Sequence, residues 1–186
     1  MEFPRYLSGQ TLLALPSLGD PRFQRATIAM CSHDEDGAMG IGIGERVIGT
    51  SLHDLLGQLD IGPGEAPDVA LCVGGPVEPQ RGFVLHGRDW SGPDSLDVAG
   101  RFHLTGTLDV LHALAEGRGP SRFVVALGYA GWGAGQLEHE LTGDGWFPAP
   151  LSPDRLFDAP PGERWSRAFA TLGLEPSAFA VGAGRA

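Results

Sequence analysis

The 186-residue sequence contains no lysine and no asparagine, and its 13 basic residues are all arginine. The missing lysines exclude Schiff-base chemistry, a P-loop lysine and a lysine general base. Cysteine is scarce too. Cys31 and Cys72 sit in apolar segments with no CxxC spacing, which excludes a zinc-ribbon pattern and a disulfide framework and fits a reduced pair. No apolar run approaches the ~20 residues that a spanning helix requires. The opening Met1-Glu2-Phe3-Pro4-Arg5 lacks the basic and apolar regions of a secretory leader, so the expected location is cytoplasmic, with no membrane partner. A net charge of −10 leaves no broad cationic face, so general nucleic-acid binding is not expected.

What is present is a globular composition of a length suited to one core. The expectation is a single domain over residues 1–186, with a mobile tail from about Ala180. Gln10 to Leu15 reads as a buried strand. Ala26–Ser32 and Ala38–Ile43 read as a hairpin around a long acidic turn, His33-Asp34-Glu35-Asp36-Gly37. Ser51 and Asp54 have capping-box spacing before a short helix bearing Leu52, Leu55, Leu56 and Leu59. Val69–Val73 and Gly82–His86 read as neighbouring strands joined through Gly74-Gly75-Pro76, and Trp90–Ala99 as an exposed loop.

Thr107 to Glu116 predicts a helix ended by Gly117. Arg122–Leu127 predicts a strand running into the turn Gly128-Tyr129-Ala130-Gly131-Trp132-Gly133, followed by a helix from Ala134. Trp146-Phe147 and Leu156-Phe157 read as short strands, and Glu163–Leu172 as a helix closed by Gly173. Strands and helices are mixed without regular alternation, so the fold class is α+β.

The acidic turn carries oxygen and nitrogen donors suited to a divalent cation, but lacks EF-hand length and reads as a solvated turn with Gly37 at positive φ. His33, beside several carboxylates, is expected to have its charged form favoured. The Gly128–Gly133 run lies where backbone N–H groups can cradle an anion, although it does not match GxGxxG. Glu138, His139 and Glu140 follow it without HExxH spacing and read as an exposed helix face. His86 reads as a hydrogen-bonded structural histidine and Cys72 as a small core residue. Neither a GxSxG elbow nor an ordered triad is present. No catalytic residue, metal or cofactor is expected.

Leu7 to Pro16, His33 to Gly40, Gly74-Gly75-Pro76-Val77, Val84-Leu85-His86, and Gly128 to Gly133 with Gln136-Leu137-Glu138 occur in this order. Trp146, Leu156-Phe157-Asp158 and Arg164-Trp165 extend the series to nearly the whole chain, which thereby resembles the bacterial YqgE/AlgH family. The resemblance implies a compact α+β domain with a bent or partly barrel-like mixed sheet flanked by helices. It also brings the label of transcriptional regulator, with no DNA-reading motif attached. One departure stands out: where similar proteins carry an asparagine after the acidic hairpin, this chain has Gly44.

The glycine segments and their neighbours are expected to form one concave binding surface. Its residues are His33, Asp34, Glu35, Gly37, Gly74, Gly75, His86, Gly128, Tyr129, Gly131, Trp132 and Gln136. The functional expectation is a non-catalytic binding or regulatory domain acting on a protein or a small ligand. Transcriptional regulation and a hydrolase using histidine and carboxylates, with or without a metal, are the alternatives.

Overall fold

The computed structural model describes residues 5–183. The apolar run after Gly9 forms β1 (Gln10–Ala14), and a 3-10 turn at Pro21–Phe23 precedes the hairpin of β2 (Thr27–Asp34) and β3 (Gly37–Gly42). The hairpin turn is only Glu35-Asp36, so His33 is a strand residue and not part of a long acidic turn. β4 (Arg46–Ser51) leads into α1 (Leu52–Gln58). Here the capping box is complete: the Ser51 hydroxyl accepts from the Asp54 amide, and the Asp54 carboxylate accepts from the Ser51 amide. Such a cap stabilises a helix start by about 1 kcal/mol. Leu52, Leu55 and Leu56 are buried, whereas Leu59, expected on the same face, forms the C-cap and is 39 % exposed.

β5 (Ala70–Val73), β6 (Val77–His86), β7 (Leu96–Val98) and β8 (Phe102–Thr105) follow. β7 lies inside the stretch read as a loop, and β8 was not anticipated. Then come α2 (Leu108–Ala115), β9 (Phe123–Gly133), α3 (Gln136–Thr142) and β10 (Trp146–Pro150). The chain closes with α4 (Pro153–Asp158), α5 (Pro161–Leu172) and a 3-10 segment, Pro176–Ala183. Residues 184–186 of the expected mobile tail lie outside the described residues. Leu156-Phe157 belongs to α4, where Pro153 is compatible with a first helical turn; Leu156 is buried and Phe157 half-buried against the same cluster.

Among the described residues, ten strands make one curled sheet in the order β10-β1-β2-β3-β9-β6-β8-β7, with β5 joining β4 to β9. All pairings are antiparallel except β5 with β9, so the sheet is mixed and half-barrel-like. β5 and β6 do not form the expected hairpin; each pairs with β9 instead. The fold class is α+β in a single domain, as read from the sequence.

The glycine-rich end of β9 is also strand, not turn. Gly128 adopts φ +75°, which bends β9 while β3 takes over pairing from Ala130 to Gly133. Gly74 and Gly75 pack directly on this bend. A Cβ on Gly74 would fall 2.0 Å from the Gly128 carbonyl oxygen, and one on Gly75 would fall 2.1 Å from the Tyr129 carbonyl carbon. Glycine is required there because backbone meets backbone.

One sheet face carries Ala29, Ile41, Leu85, Phe102 and Ala126 and is packed by Leu156 of α4. Alternate residues Val84 and Val125 face the other way, under Leu55 and Leu56 of α1 and Leu111 and Leu114 of α2. Farther along, Ile28, Met30, Ala130 and Trp132 pack against Leu137 of α3. Phe169 of α5 covers Leu13, Leu15 and Ala149.

Candidate functional site

The twelve residues expected on one surface fall into three places. At one end of β9, Gly37 pairs with Gly133 and Ala38 with Trp132. Asp34 and Glu35 are exposed at the hairpin tip, but His33 is buried. Its Nδ1 accepts from the Leu7 amide at 3.1 Å, and its Nε2 donates to Glu138 at 3.1 Å, which defines the neutral tautomer with the proton on Nε2. The carboxylate that meets His33 is therefore Glu138 of α3 and not one from the acidic turn.

A bulge produces this arrangement. Met30 pairs with Gly40 but Ser32 with Met39, so Cys31 is the extra residue and the face of every later side chain is reversed. His33 thus falls beside Ala38 on the side of α3. Trp132 is buried as well, and its indole N–H donates to Glu140, which also accepts from Trp146. Gln136 accepts from the Gly133 amide and donates to Glu140. Glu138 and Glu140, expected on an exposed helix face, are partners of buried rings. β9 is continuous through Gly131 and Gly133, so the strand-to-helix turn is Ala134-Gly135, and the Gly133 amide is already taken by Gln136.

Gly74, Gly75, Gly128 and Tyr129 lie midway, where Tyr129 packs edge-on against Phe83. His86 pairs with Phe123 at the far end of β9, ten residues from the Gly37 pairing and so roughly 30 Å away along the strand. Its ring is fully buried and hydrogen-bonded to the Gly87 carbonyl and the Thr105 hydroxyl. Burial draws its pKa below the ordinary histidine value. A single concave surface spanning all twelve residues is therefore not formed. Among the described residues, no group of three or more His, Cys, Asp or Glu side chains could hold a metal ion.

The site that the fold does build lies between the sheet and α4–α5. Thr11, Thr27 and Ala149 from neighbouring strands form its floor, and Leu156, Arg164 and Ala168 its helical side, around a volume of about 560 Å³. Most of the lining is apolar. Arg164 is 7 % exposed, and no carboxylate among the described residues pairs with it. Its Nη1 donates to the Ile43 carbonyl at 2.8 Å and approaches Cys72 Sγ at 3.5 Å, while Nε is buried with no acceptor. Burial lowers its pKa, opposed by the neighbouring Cys72. Thr27 Oγ1 is the second buried atom in this lining with no partner. The two residues flank Ile43, whose amide donates to the Thr27 carbonyl at 2.8 Å.

A second hollow of about 490 Å³ shares Thr27 and is walled by Gly44, Gly74 and Gly75 with Arg25 and Glu45. Gly44 lies against Thr27, where a Cβ would stand 3.2 Å from its hydroxyl oxygen. Arg164 and Thr27 were not singled out from the sequence as functional residues. The available signal was an arginine four residues before Ala168, on the inward side of an amphipathic helix.

A model of the AlgH-like family, DUF179, matches residues 11–177. The chain belongs to the AlgH-like family. It is similar to a UPF0301 protein of Rhizorhabdus wittichii, with 53 % identity over the whole of both chains. A UPF0301 protein of Novosphingobium aromaticivorans is 54 % identical over 95 % of each chain. Among solved structures, the AlgH protein of Pseudomonas aeruginosa superposes with a TM-score of 0.80 at 40 % identity, covering 100 % of this chain and 99 % of that one. A Corynebacterium diphtheriae protein shares the fold at a TM-score of 0.76 and 22 % identity, covering 97 % and 95 %. The α+β reading of this AlgH-like chain thus holds against solved structures of the same fold. Among its described residues no helix is long and apolar enough to cross a membrane.

Proposed function

We propose that this AlgH-like protein is a non-catalytic binding protein that holds a small ligand between its sheet and helices α4–α5. The observation that carries this reading is Arg164, a buried cation with no counter-ion among the described residues, in the wall of a mostly apolar cavity. A buried charge with no partner is costly, and a ligand that supplies the partner offsets that cost. The volume of about 560 Å³ is within the range of small-molecule sites.

Hydrolysis by His33 and His86 is disfavoured by their burial and separation. Direct DNA contact is disfavoured by the net charge of −10. A cytoplasmic setting suits the two free, buried thiols. Native mass spectrometry of gently purified protein provides the test, with Ala168→Trp as the cavity-filling control. A mass adduct on the wild type that is absent from the variant is expected. Bare protein in both samples would overturn the reading.

A further inference from the structure

On the reading of this cavity as a ligand site, we infer that its occupant is a small apolar monocarboxylate, with the carboxylate on the guanidinium of Arg164. The first reason is the geometry of the guanidinium. Nη1 is already engaged by Ile43 and Cys72. The other terminal nitrogen, Nη2, has no acceptor among the described residues and is the donor left for a carboxylate in the cavity. Nε also has no acceptor, but it is closed to water and so lies behind the cavity wall. Thr27 Oγ1, a second unpartnered polar atom across Ile43, is closed off in the same way.

The second reason is charge. A phosphate dianion needs several cations, and the described lining offers only Arg164 and Arg167. Arg167 is held by Glu163 on its own helix. Asp154 and Asp158, also in the lining, share Arg122 between them at 2.7 Å each. One unpaired cation inside and acidic groups around it favour a single negative charge over two. The third reason is the apolar lining itself. Ala149, Leu151, Leu156 and Ala168 present carbon surface that would cover a hydrocarbon body and offers it no hydrogen bond.

The test titrates the full chain, labelled with ¹⁵N, with octanoate and separately with octan-1-ol, following the backbone amides and the arginine Nε–H signals. Octanoate is expected to move the Arg164 Nε–H and the amides of Ile43 and Leu151, and to bind about tenfold or more tighter than the alcohol, as a charge-assisted hydrogen bond requires. Arg164→Met should erase that preference while still admitting octan-1-ol. If the variant does not fold, Ala168→Trp retains Arg164 and should lose octanoate binding.

Equal affinity for acid and alcohol, octanoate shifts confined to other regions, or no binding of either probe would each overturn the carboxylate inference. These results leave the ligand-binding reading to stand or fall on the native mass adduct.

Discussion

The Arg164 guanidinium donates to the carbonyl of Ile43 at 2.8 Å across 121 residues of chain, and that bond fixes which edge of the cation stays free. Replacing the arginine by methionine removes an unpaired buried charge but leaves the Ile43 carbonyl with only the weak donation of the Cys72 thiol at 3.9 Å. The two effects oppose each other at about 1–4 kcal/mol for the relieved charge against about 1–3 kcal/mol for the carbonyl's lost donor. Ligand-free Arg164→Met should therefore unfold in urea at a stability close to or above that of the wild type. A clear loss would identify Arg164 as a structural residue.

Glu140 ties two tryptophans together, accepting from Trp132 at 2.9 Å and from Trp146 at 3.0 Å through one oxygen. Glu140→Ala leaves both indole N–H groups without that acceptor and should cost about 2–4 kcal/mol, whereas Glu140→Gln retains an acceptor oxygen and should cost less than half of that. Denaturant unfolding followed by tryptophan fluorescence measures both.

The glycine packing separates two outcomes of one substitution. Gly75→Ala and Gly128→Ala each place a Cβ inside 2.5 Å of backbone at positive φ, and each should destabilise by more than about 3 kcal/mol. Gly57→Ala in α1 meets nothing within 4 Å and should stabilise by about 0.5–1 kcal/mol. Thermal unfolding of the three variants decides this.

His86 predicts a pH effect. Its pKa in the folded protein is lowered, chiefly by burial, from an unfolded value near 6.5. The unfolded chain consequently takes up the proton first as the pH falls. The stability that neutral His86 contributes is complete above pH ~6.5 and is lost progressively below it, down to the folded-state value. The stability difference between wild type and His86→Gln should shrink as urea midpoints are taken from pH 7.5 to about 5. A difference constant with pH would refute the effect.

Neither thiol should react in the folded protein. Burial pushes Cys31 up to about 12 and raises Cys72, with Arg164 opposing the rise at Cys72. Labelling by a disulfide reagent at pH 8 should be slow for both and should follow the rate of opening in denaturant.

Signals acting within a few residues were legible in the sequence. The Ser51–Asp54 cap, the stop at Gly173, the paired runs of β2 and β3 and the mixed α+β order all depend on neighbours in the chain. The reading of Gly128–Gly133 as a turn failed because glycine signals both chain reversal and close backbone approach. Hydrogen bonds from β3 and the packing of Gly74 and Gly75 decided for strand.

The absences in the sequence by themselves settled a good deal: no lysine chemistry, no cysteine framework, and one domain's worth of apolar residues. Only the tertiary structure determined which polar groups were taken out of water together. His33 meets Glu138 across 105 positions because of a one-residue bulge, and Arg164 enters an apolar cavity because α5 lies over β1 and β10. Contacts between groups so distant in the chain leave no local periodicity, so they arise only when the sheet curls and the helices close on it.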